Sequence, residues 1–464
     1  MLGMNHTALE AFIASMKGKT VAVCGIGKNN TPVVLQFLRY GAKVRACDKR
    51  EREALGEVAD ELEAAGATLC LGEGYLRQLS DCDLILRTPG MKPYLPEFTA
   101  AREQGITVSS EMELFFSLCP APIYAVTGSD GKTTTTTIIA NLLEKSGKRV
   151  WLGGNIGRAL FPLIEQVEAD DVAVVEVSSF QLTMMTQSPH VAVVTNVSPN
   201  HLDWHTDMAE YEEAKQNLIT YQQAGDRCVL NADNAVTASW AAAAGVDGMT
   251  FSRLHEVENG AYLSADGVLT IRQNGVDTPV IAADKVRLAG VFNIENYLAA
   301  FAAVAGEVSP ADMAEFAAEF GGVEHRRELV RVCRGVEWYN DSIGSSPSRT
   351  IAGLGSFDRK VILIAGGYDK NIPYEPLGAA ATDTVKTAVL LGATAQKIHD
   401  AIRQYSDLPI VRVNTLEQAV EIADGLAKEG DAVFFSPASA SFDMYKNFEE
   451  RGKHFKALVT ALAE

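Results

Sequence analysis

Three features of this 464-residue chain predict an α/β protein of three domains. Short apolar runs alternate with longer amphipathic ones through both ends of the chain, the pattern of doubly wound parallel sheets. Between them, IYAVTGSDGKTTTTT (123–137) joins a buried strand to a helix through a glycine turn. The chain is also too long for one hydrophobic core. The expected domains are 1–120, Rossmann-like; 121–322, a P-loop domain with a mostly parallel sheet; and 323–464, Rossmann-like again.

The first domain opens with MLGMNHTALEAFIASMKGKT, which lacks the long apolar core of a signal peptide and reads as a helix. TVAVCGIG (20–27) is a buried strand entering a glycine turn, KNNTPVVLQFLRYG a helix closed by Gly41, and KVRACD a second strand ending at Asp48. This is the opening of a nucleotide-binding βαβ unit with an acidic residue after its second strand. Asn30 stands where the dinucleotide fingerprint has its third glycine. A nicotinamide-dependent dehydrogenase and a plain βαβ unit with a small-residue turn are therefore both open on this string. Strands follow at TLCLG and DLILRTPG, and the turn from Arg87 to Gly90 should expose backbone N–H groups. CPAP (119–122) is the linker.

In the second domain, Gly128 and Gly131 let backbone N–H groups approach an anion, and the following helix adds its positive N-terminal end. Lys132 reaches terminal phosphates and a threonine hydroxyl can ligate Mg²⁺. The general spacing asks for a further glycine at position 126, which is Val126. Two more strands end near this cradle if they neighbour it: DVAVVEVSS, interrupted by Glu176, and VAVVTNVSPNHLDWH, followed by His201. Glu176 reads as a Mg²⁺ ligand or as a carboxylate satisfied by backbone N–H groups or an arginine. A lone histidine such as His201 is ordinarily a capping or structural residue. In the helix MAEYEEAKQNLITYQQAG, Lys215 shares a face with Tyr211, Leu218 and Ile219. Spacing alone favours a snorkelling lysine paired with Glu212. Residues 260–282, with Asp-Gly and Asn-Gly turns, read as a hairpin region, and a helix starts at 293.

After Gly321-Gly322 the strands VEWYND, KVILIAGG, TAVLLGAT, PIVRV and DAVFFSPAS alternate with helices. Their loops NDSIGSSP (340–347), GGYDKN (366–371) and SPASASFD (436–443) should face one crevice. A net charge of −18 argues against nucleic acid or an anionic membrane as partner. No apolar run reaches membrane-spanning length. The seven scattered cysteines, without a CxxC pair, read as reduced thiols of a cytoplasmic protein.

Taken together the motifs resemble the muramyl (Mur) ligases along essentially the whole chain. The residues that carry the resemblance are TGSDGKTTT, GGNIG (153–157), EVSSFQL (176–182), TNVSPNHLDWH (195–205), EYEEAK (210–215), NIENYLAA (293–300), EHRRE (324–328), YNDS (339–342) and SPASASFDMYKNFEERG (436–452). The last is similar to the branch of the family that adds D-glutamate. The resemblance implies an ATP-dependent amide ligase of peptidoglycan precursor synthesis, a cytoplasmic monomer acting on UDP-MurNAc-L-Ala and D-glutamate. It implies ATP contacts at Gly128, Ser129, Asp130, Gly131, Lys132, Thr133, Thr134, Asn293, Arg326 and Asp341. Two Mg²⁺ ions are implied at Thr133, Glu176, His201 and Lys215, with Lys215 carbamylated, which reverses the reading from spacing. A carbamate turns the cation into an anion with two oxygens suited to a hard metal. Lys132, Glu176, His201 and Lys215 are the implied catalytic set. Asp48 and Arg50 (uridine nucleotide), Asn155 (muramyl part), and Lys370, Ser441 and Phe448 (glutamate) are the implied substrate contacts. The family's usual DSKATN is DSIGSS here, so Ile343 replaces a lysine. A sister ligase with another amino acid (L-glutamate-adding or folylpolyglutamate synthase-like) and a nucleotide-driven switch are the competing readings.

Overall fold

The computed structural model describes residues 6–27, 29–201, 204–241, 247–288, 290–370 and 372–463. Lys28, Leu202 and Asp203, which belong to predicted motifs, lie outside them, as do residues 1–5 of the predicted N-terminal helix. The chain divides into two compact units, 1–319 and 320–464.

The first unit carries two sheets. In the N-terminal one, β1 (Thr20–Cys24), β2 (Lys43–Asp48), β3 (Thr68–Leu71), β4 (Leu84–Arg87) and β5 (Thr107–Ser109) are ordered β3-β2-β1-β4-β5 and all parallel. The order reverses beside β1, so the turns after β1 and β4 open onto the same edge. The second sheet is built from β6 (Ile123–Thr127), β7 (Val150–Gly154), β8 (Val172–Glu176), β9 (Val191–Val194), β10 (Arg227–Asn231), β11 (Asp247–Ser252), β12 (Gly260–Leu263), β13 (Val268–Gln273) and β14 (Val276–Ala282). Its order is β14-β13-β12-β11-β10-β9-β6-β8-β7. Strands β6 to β12 pair in parallel, and β12, β13 and β14 close the edge as two antiparallel hairpins. Asn274 and Gly275 both have positive φ (52° and 76°), as a two-residue turn matched to strand twist requires.

The second unit has β15 (Glu328–Cys333), β16 (Val336–Asn340), β17 (Val361–Gly366), β18 (Val385–Leu391), β19 (Ile410–Arg412) and β20 (Ala432–Phe435), ordered β15-β16-β20-β17-β18-β19. All pairs are parallel except β15–β16. The antiparallel edge strand β15 is an addition to the predicted pattern. Its sequence, ELVRVC, is mostly half-exposed and carries Glu328 and Arg331, as befits an edge. Among the described residues no helix is long and apolar enough to cross a membrane.

The two sheets of the first unit share one core. Phe161, on the short 3-10 helix Phe161–Gln166, stacks on Phe37 of the helix Asn30–Arg39 at 5.9 Å between centroids. Phe12 meets both rings edge-on at 6.1 and 6.4 Å. Around them Glu165 accepts from Arg39 (2.8 Å) and Tyr40 (2.9 Å), so polar groups seal the rim of the contact. Phe161→Ala should therefore lower unfolding stability by about 3–5 kcal/mol. Urea denaturation of the full chain measures this, and a loss below about 1 kcal/mol would show that the two sheets do not depend on their contact.

Candidate active site

Strands β9, β6 and β8 are adjacent, so their C-terminal ends deliver the predicted residues to one place. Val126 is fully buried within β6, paired to Glu176 on one side and Val193 on the other. The place of the missing P-loop glycine is thus a core strand position, and the cradle begins two residues later. A Cβ on Gly128 would stand 1.9 Å from Thr195 Oγ1, and one on Gly131, whose φ is +78°, 2.3 Å from Asn296 Oδ1. Only glycine fits either position. The turn is held by Ser129 N–H to Asn196 O (2.8 Å), Asp130 N–H to Asn196 Oδ1 (3.0 Å) and the Ser129–Tyr211 hydroxyl pair (2.9 Å). The helix Lys132–Lys145 starts directly after it, with Thr133 buried and Thr134 half-buried in its first turn.

The charged groups around this turn are concentrated. Glu176 is 1% exposed, and its two oxygens accept from Thr133 Oγ1 (2.7 Å) and Asn155 Nδ2 (2.6 Å). Neither a backbone N–H group nor an arginine satisfies it in these bonds, so the bland expectation for this residue gives way to a side-chain cluster. Lys132 Nζ donates to the carbonyls of Gly128 and Ser129, both at 2.9 Å. Lys215 does not snorkel toward Glu212. It is 1% exposed, donates to Gly128 O at 2.8 Å, and lies over the Tyr211 ring at 4.6 Å. Burial, and then the neighbouring Lys132, push its ammonium well below the ordinary lysine value, with Asp130 and Glu176 pulling the other way.

His201 stands at the rim. It is exposed, has φ 55°, and packs its ring edge-on against Phe180 at 4.9 Å. Behind it lies a residue that sequence reasoning missed. His205 is 2% exposed, stacks on Phe180 (5.7 Å), meets Tyr211 (5.2 Å), and shares a 2.9 Å hydrogen bond between Nε2 and Ser179 Oγ. Burial lowers its pKa, Glu210 opposes this, and the nearby Lys215 pushes the same way as burial. The signal was present as the second histidine of NHLDWH. Asn293 joins the cradle indirectly, accepting from Asn296 (3.3 Å), whose Oδ1 takes the Thr135 hydroxyl (3.2 Å).

On the N-terminal sheet, Asp48 and Arg50 form a pair at the edge of the β1 turn. Asp48 accepts from Ile26 N–H (2.7 Å) and from Arg50 Nε and Nη2 (both 2.9 Å). Burial alone would raise this carboxyl, but those bonds hold it below its usual value. Asn30, at the third-glycine position, donates to Gly25 O at 2.8 Å and so ties the start of its helix back to the turn after β1. A second missed residue links this sheet to the cradle's surroundings. Arg87 is buried and donates to Met91 O (3.1 Å) and Thr183 O (2.9 Å), while Trp204 reaches Gly90 O at 3.2 Å.

In the second unit, Asp341 is buried and accepts from Ser436 Oγ (2.7 Å) and Arg327 N–H (3.1 Å). Burial lifts its carboxyl to about 6, and these donors and the field of Arg326 restrain the rise. Lys370 Nζ reaches Ser345 O at 3.5 Å, laying a cation over the DSIGSS segment. Ser441 is buried, and Phe448 accepts through its carbonyl from Ser342 Oγ at 2.8 Å while its ring faces His325 at 6.1 Å.

Thr133 Oγ1 and the Glu176 carboxylate are hard oxygen donors at a helix N-terminus beside two lysines. That donor set fits Mg²⁺ shared with nucleotide phosphates, which needs only one or two protein ligands. The depressed Lys215 amine fits reaction with CO₂, because its neutral form carries the nucleophilic lone pair. A folded-state pKa below the unfolded one means that the unfolded chain binds more protons, so stability should rise with pH up to the ordinary value of 10.5. In CO₂-depleted buffer, Lys215→Met should therefore be more stable than the wild type at pH 7, with the gap closing toward pH 10.5 in urea titrations. A gap independent of pH would refute the buried-charge account.

Three family models match in order along the chain. They are the Mur ligase MurD-like N-terminal domain at 19–110, the Mur ligase middle domain at 126–304, and the Mur ligase glutamate ligase domain at 325–439. The chain is 51% identical to UDP-N-acetylmuramoylalanine–D-glutamate ligase of Acetivibrio thermocellus, covering 98% of this chain and 99% of the relative. It is 46% identical to the enzyme of the same name from Ruminiclostridium cellulolyticum, covering 98% and 100%. The fold is similar to that of UDP-N-acetylmuramate-alanine ligase MurC from Thermotoga maritima, with a TM-score of 0.55, 18% identity, and 96% of this chain and 99% of that one covered. A pseudomurein peptide ligase type C from Methanothermus fervidus gives a TM-score of 0.51 at 17% identity, covering 96% and 99%. Matched from end to end and in domain order, the chain belongs to the Mur ligase family.

Proposed function

We propose that this chain is an ATP-dependent ligase that adds D-glutamate to UDP-N-acetylmuramoyl-L-alanine in cytoplasmic peptidoglycan precursor synthesis. The observation that carries the reading is full-length identity of 46–51% to D-glutamate ligases. The family resemblance supports three working parts: 1–120 for the UDP moiety near Asp48 and Arg50, 121–322 for ATP and Mg²⁺, and 323–464 for the amino acid. It likewise supports a monomer.

A carboxylate is a poor acyl donor because oxide is a poor leaving group. Transfer of the ATP γ-phosphoryl group to the alanyl carboxylate gives an acyl phosphate. The glutamate amine then attacks its carbonyl carbon, and phosphate departs as the amide forms. The backbone N–H groups of 128–134 cradle the phosphates, and Lys132 turns from its loop carbonyls to the transferring group. Asn155, tied to Glu176, orients the muramyl substrate. Thr133, Glu176, His201 and a carbamylated Lys215 would hold two Mg²⁺ ions, whose chemistry there is charge neutralisation on phosphate oxygens. Asn293, Arg326 and Asp341 serve the nucleotide, and Lys370, Ser441 and Phe448 the glutamate. Because Lys370 lies over the segment containing Ile343, it supplies the cation that segment lacks.

ADP release with UDP-MurNAc-L-Ala should require D-glutamate and stay at background with L-glutamate or with no amino acid. Release driven by L-glutamate would move the chain to a sister ligase, and release without either substrate would make it a nucleotide switch. Lys132→Ala and Glu176→Gln should each lower turnover by at least about 100-fold with the fold intact by circular dichroism. Near-normal turnover in either would overturn the site assignment.

A further inference from the structure

The three loops expected to face one crevice in the second unit meet at a single buried guanidinium. Arg451, on the helix Phe448–Thr460, is 2% exposed. Its Nη1 donates to Ser439 O (3.1 Å) and Ala440 O (3.0 Å), its Nη2 to Ser342 O (2.8 Å), and its Nε to Ser342 Oγ (3.1 Å). Ser342 Oγ in turn donates a hydrogen bond to Phe448 O at 2.8 Å, which closes the ring back onto the helix. The third loop is tied to the same carbonyl, since Tyr368 N–H donates to Ala440 O at 2.9 Å. A Cβ on Gly367 would lie 2.3 Å from that oxygen and 3.1 Å from Arg451 Nη1, so the loop backbone packs directly against the guanidinium.

All four bonds go to carbonyl or hydroxyl oxygens, and the carboxylate of Asp443, on the same loop as Ser439 and Ala440, acts on the guanidinium through its field rather than through one of these bonds. Burying a full cation against neutral acceptors is costly for stability alone, and an apolar side chain would serve packing better. The arrangement is accounted for if the fixed fan of guanidinium donors holds these loops together for something that binds where they end. Asp341, Lys370 and Ser441 lie on those three loops, each within three residues of a carbonyl or N–H group in this network.

We propose that Arg451 is a positioning residue for the amino acid substrate. It fixes the three loops relative to one another, so that the groups at their ends are presented together to the amino acid. The inference rests on the ligase reading above. It goes beyond that reading by assigning the organisation of the glutamate loops to a residue that does not itself touch substrate.

The test compares Arg451→Met, which removes the charge, and Arg451→Lys, which keeps it but cannot span four acceptors, in the full chain. Steady-state ADP release should show KM for D-glutamate raised about tenfold or more in the methionine variant and less in the lysine variant. KM for UDP-MurNAc-L-Ala should be unchanged and kcat affected less than KM. Amide hydrogen exchange should quicken in 341–346 and 437–444, with β17 unaltered. An unchanged KM for D-glutamate in a folded methionine variant overturns the proposal, as does an equal rise in KM for both substrates with no local change in exchange. If the methionine variant does not fold, the lysine variant decides by the same two measurements. Wild-type protein that releases no ADP with D-glutamate would remove the ligase reading. The exchange comparison would still judge the loop role separately.

Discussion

Two ammonium groups converge on one carbonyl oxygen. Lys132 and Lys215 both donate to Gly128 O, at 2.9 and 2.8 Å, so their charges stand less than about 6 Å apart. At an effective dielectric constant near 20 that costs on the order of 3 kcal/mol of repulsion. The buried carboxylate of Glu176 and the half-solvated Asp130 offset part of it. The turn is therefore strained electrostatically in the direction that an anion relieves. On the proposed function, a polyphosphate arriving at 128–134 would take up Lys132, and carbamylation of Lys215 would remove the second positive charge. The same crowding that destabilises the free protein would, on that proposal, supply differential affinity for a triphosphate.

The rest of the first unit serves this turn by holding its walls. Tyr211 braces Ser129 from the helix Met208–Thr220 and lies beneath the Lys215 ammonium, so one ring both positions and shields the cation. His205 and Phe180 extend that wall toward His201, and Arg87 ties it to the N-terminal sheet through carbonyls. The route from Asp48 and Arg50 to the cradle is thus made of packed rings and backbone acceptors within one continuous core. In the second unit the corresponding device is again a buried cation among neutral acceptors, with Asp341 held nearby at a carboxyl value of about 6.

Much of this was legible in the residues. Strand–glycine–helix spacing located the cradle, strand-end position singled out Glu176, and Asn30 already broke the dinucleotide fingerprint, leaving a plain βαβ unit equally open. The Asn-Gly turn placed its hairpin because backbone sign is written locally in those two residues. Periodicity also showed that Lys215 lay on an apolar face, yet it pointed to the wrong partner. Helix spacing reports neighbours on the same helix, and the carbonyl that receives this lysine belongs to Gly128, in the turn after β6 and 87 residues away.

What the sequence by itself determined, then, is local: which segments are strands, where the chain must turn, and which chemistries sit at strand ends. Tertiary structure alone decided the pairings. Strand order put Glu176 next to Thr133 and Asn155, burial made Lys215 a depressed amine, and loop convergence gave Arg87 and Arg451 their carbonyls. The physical reason is that desolvation and electrostatic coupling depend on distances between residues far apart in the chain, which no local pattern encodes.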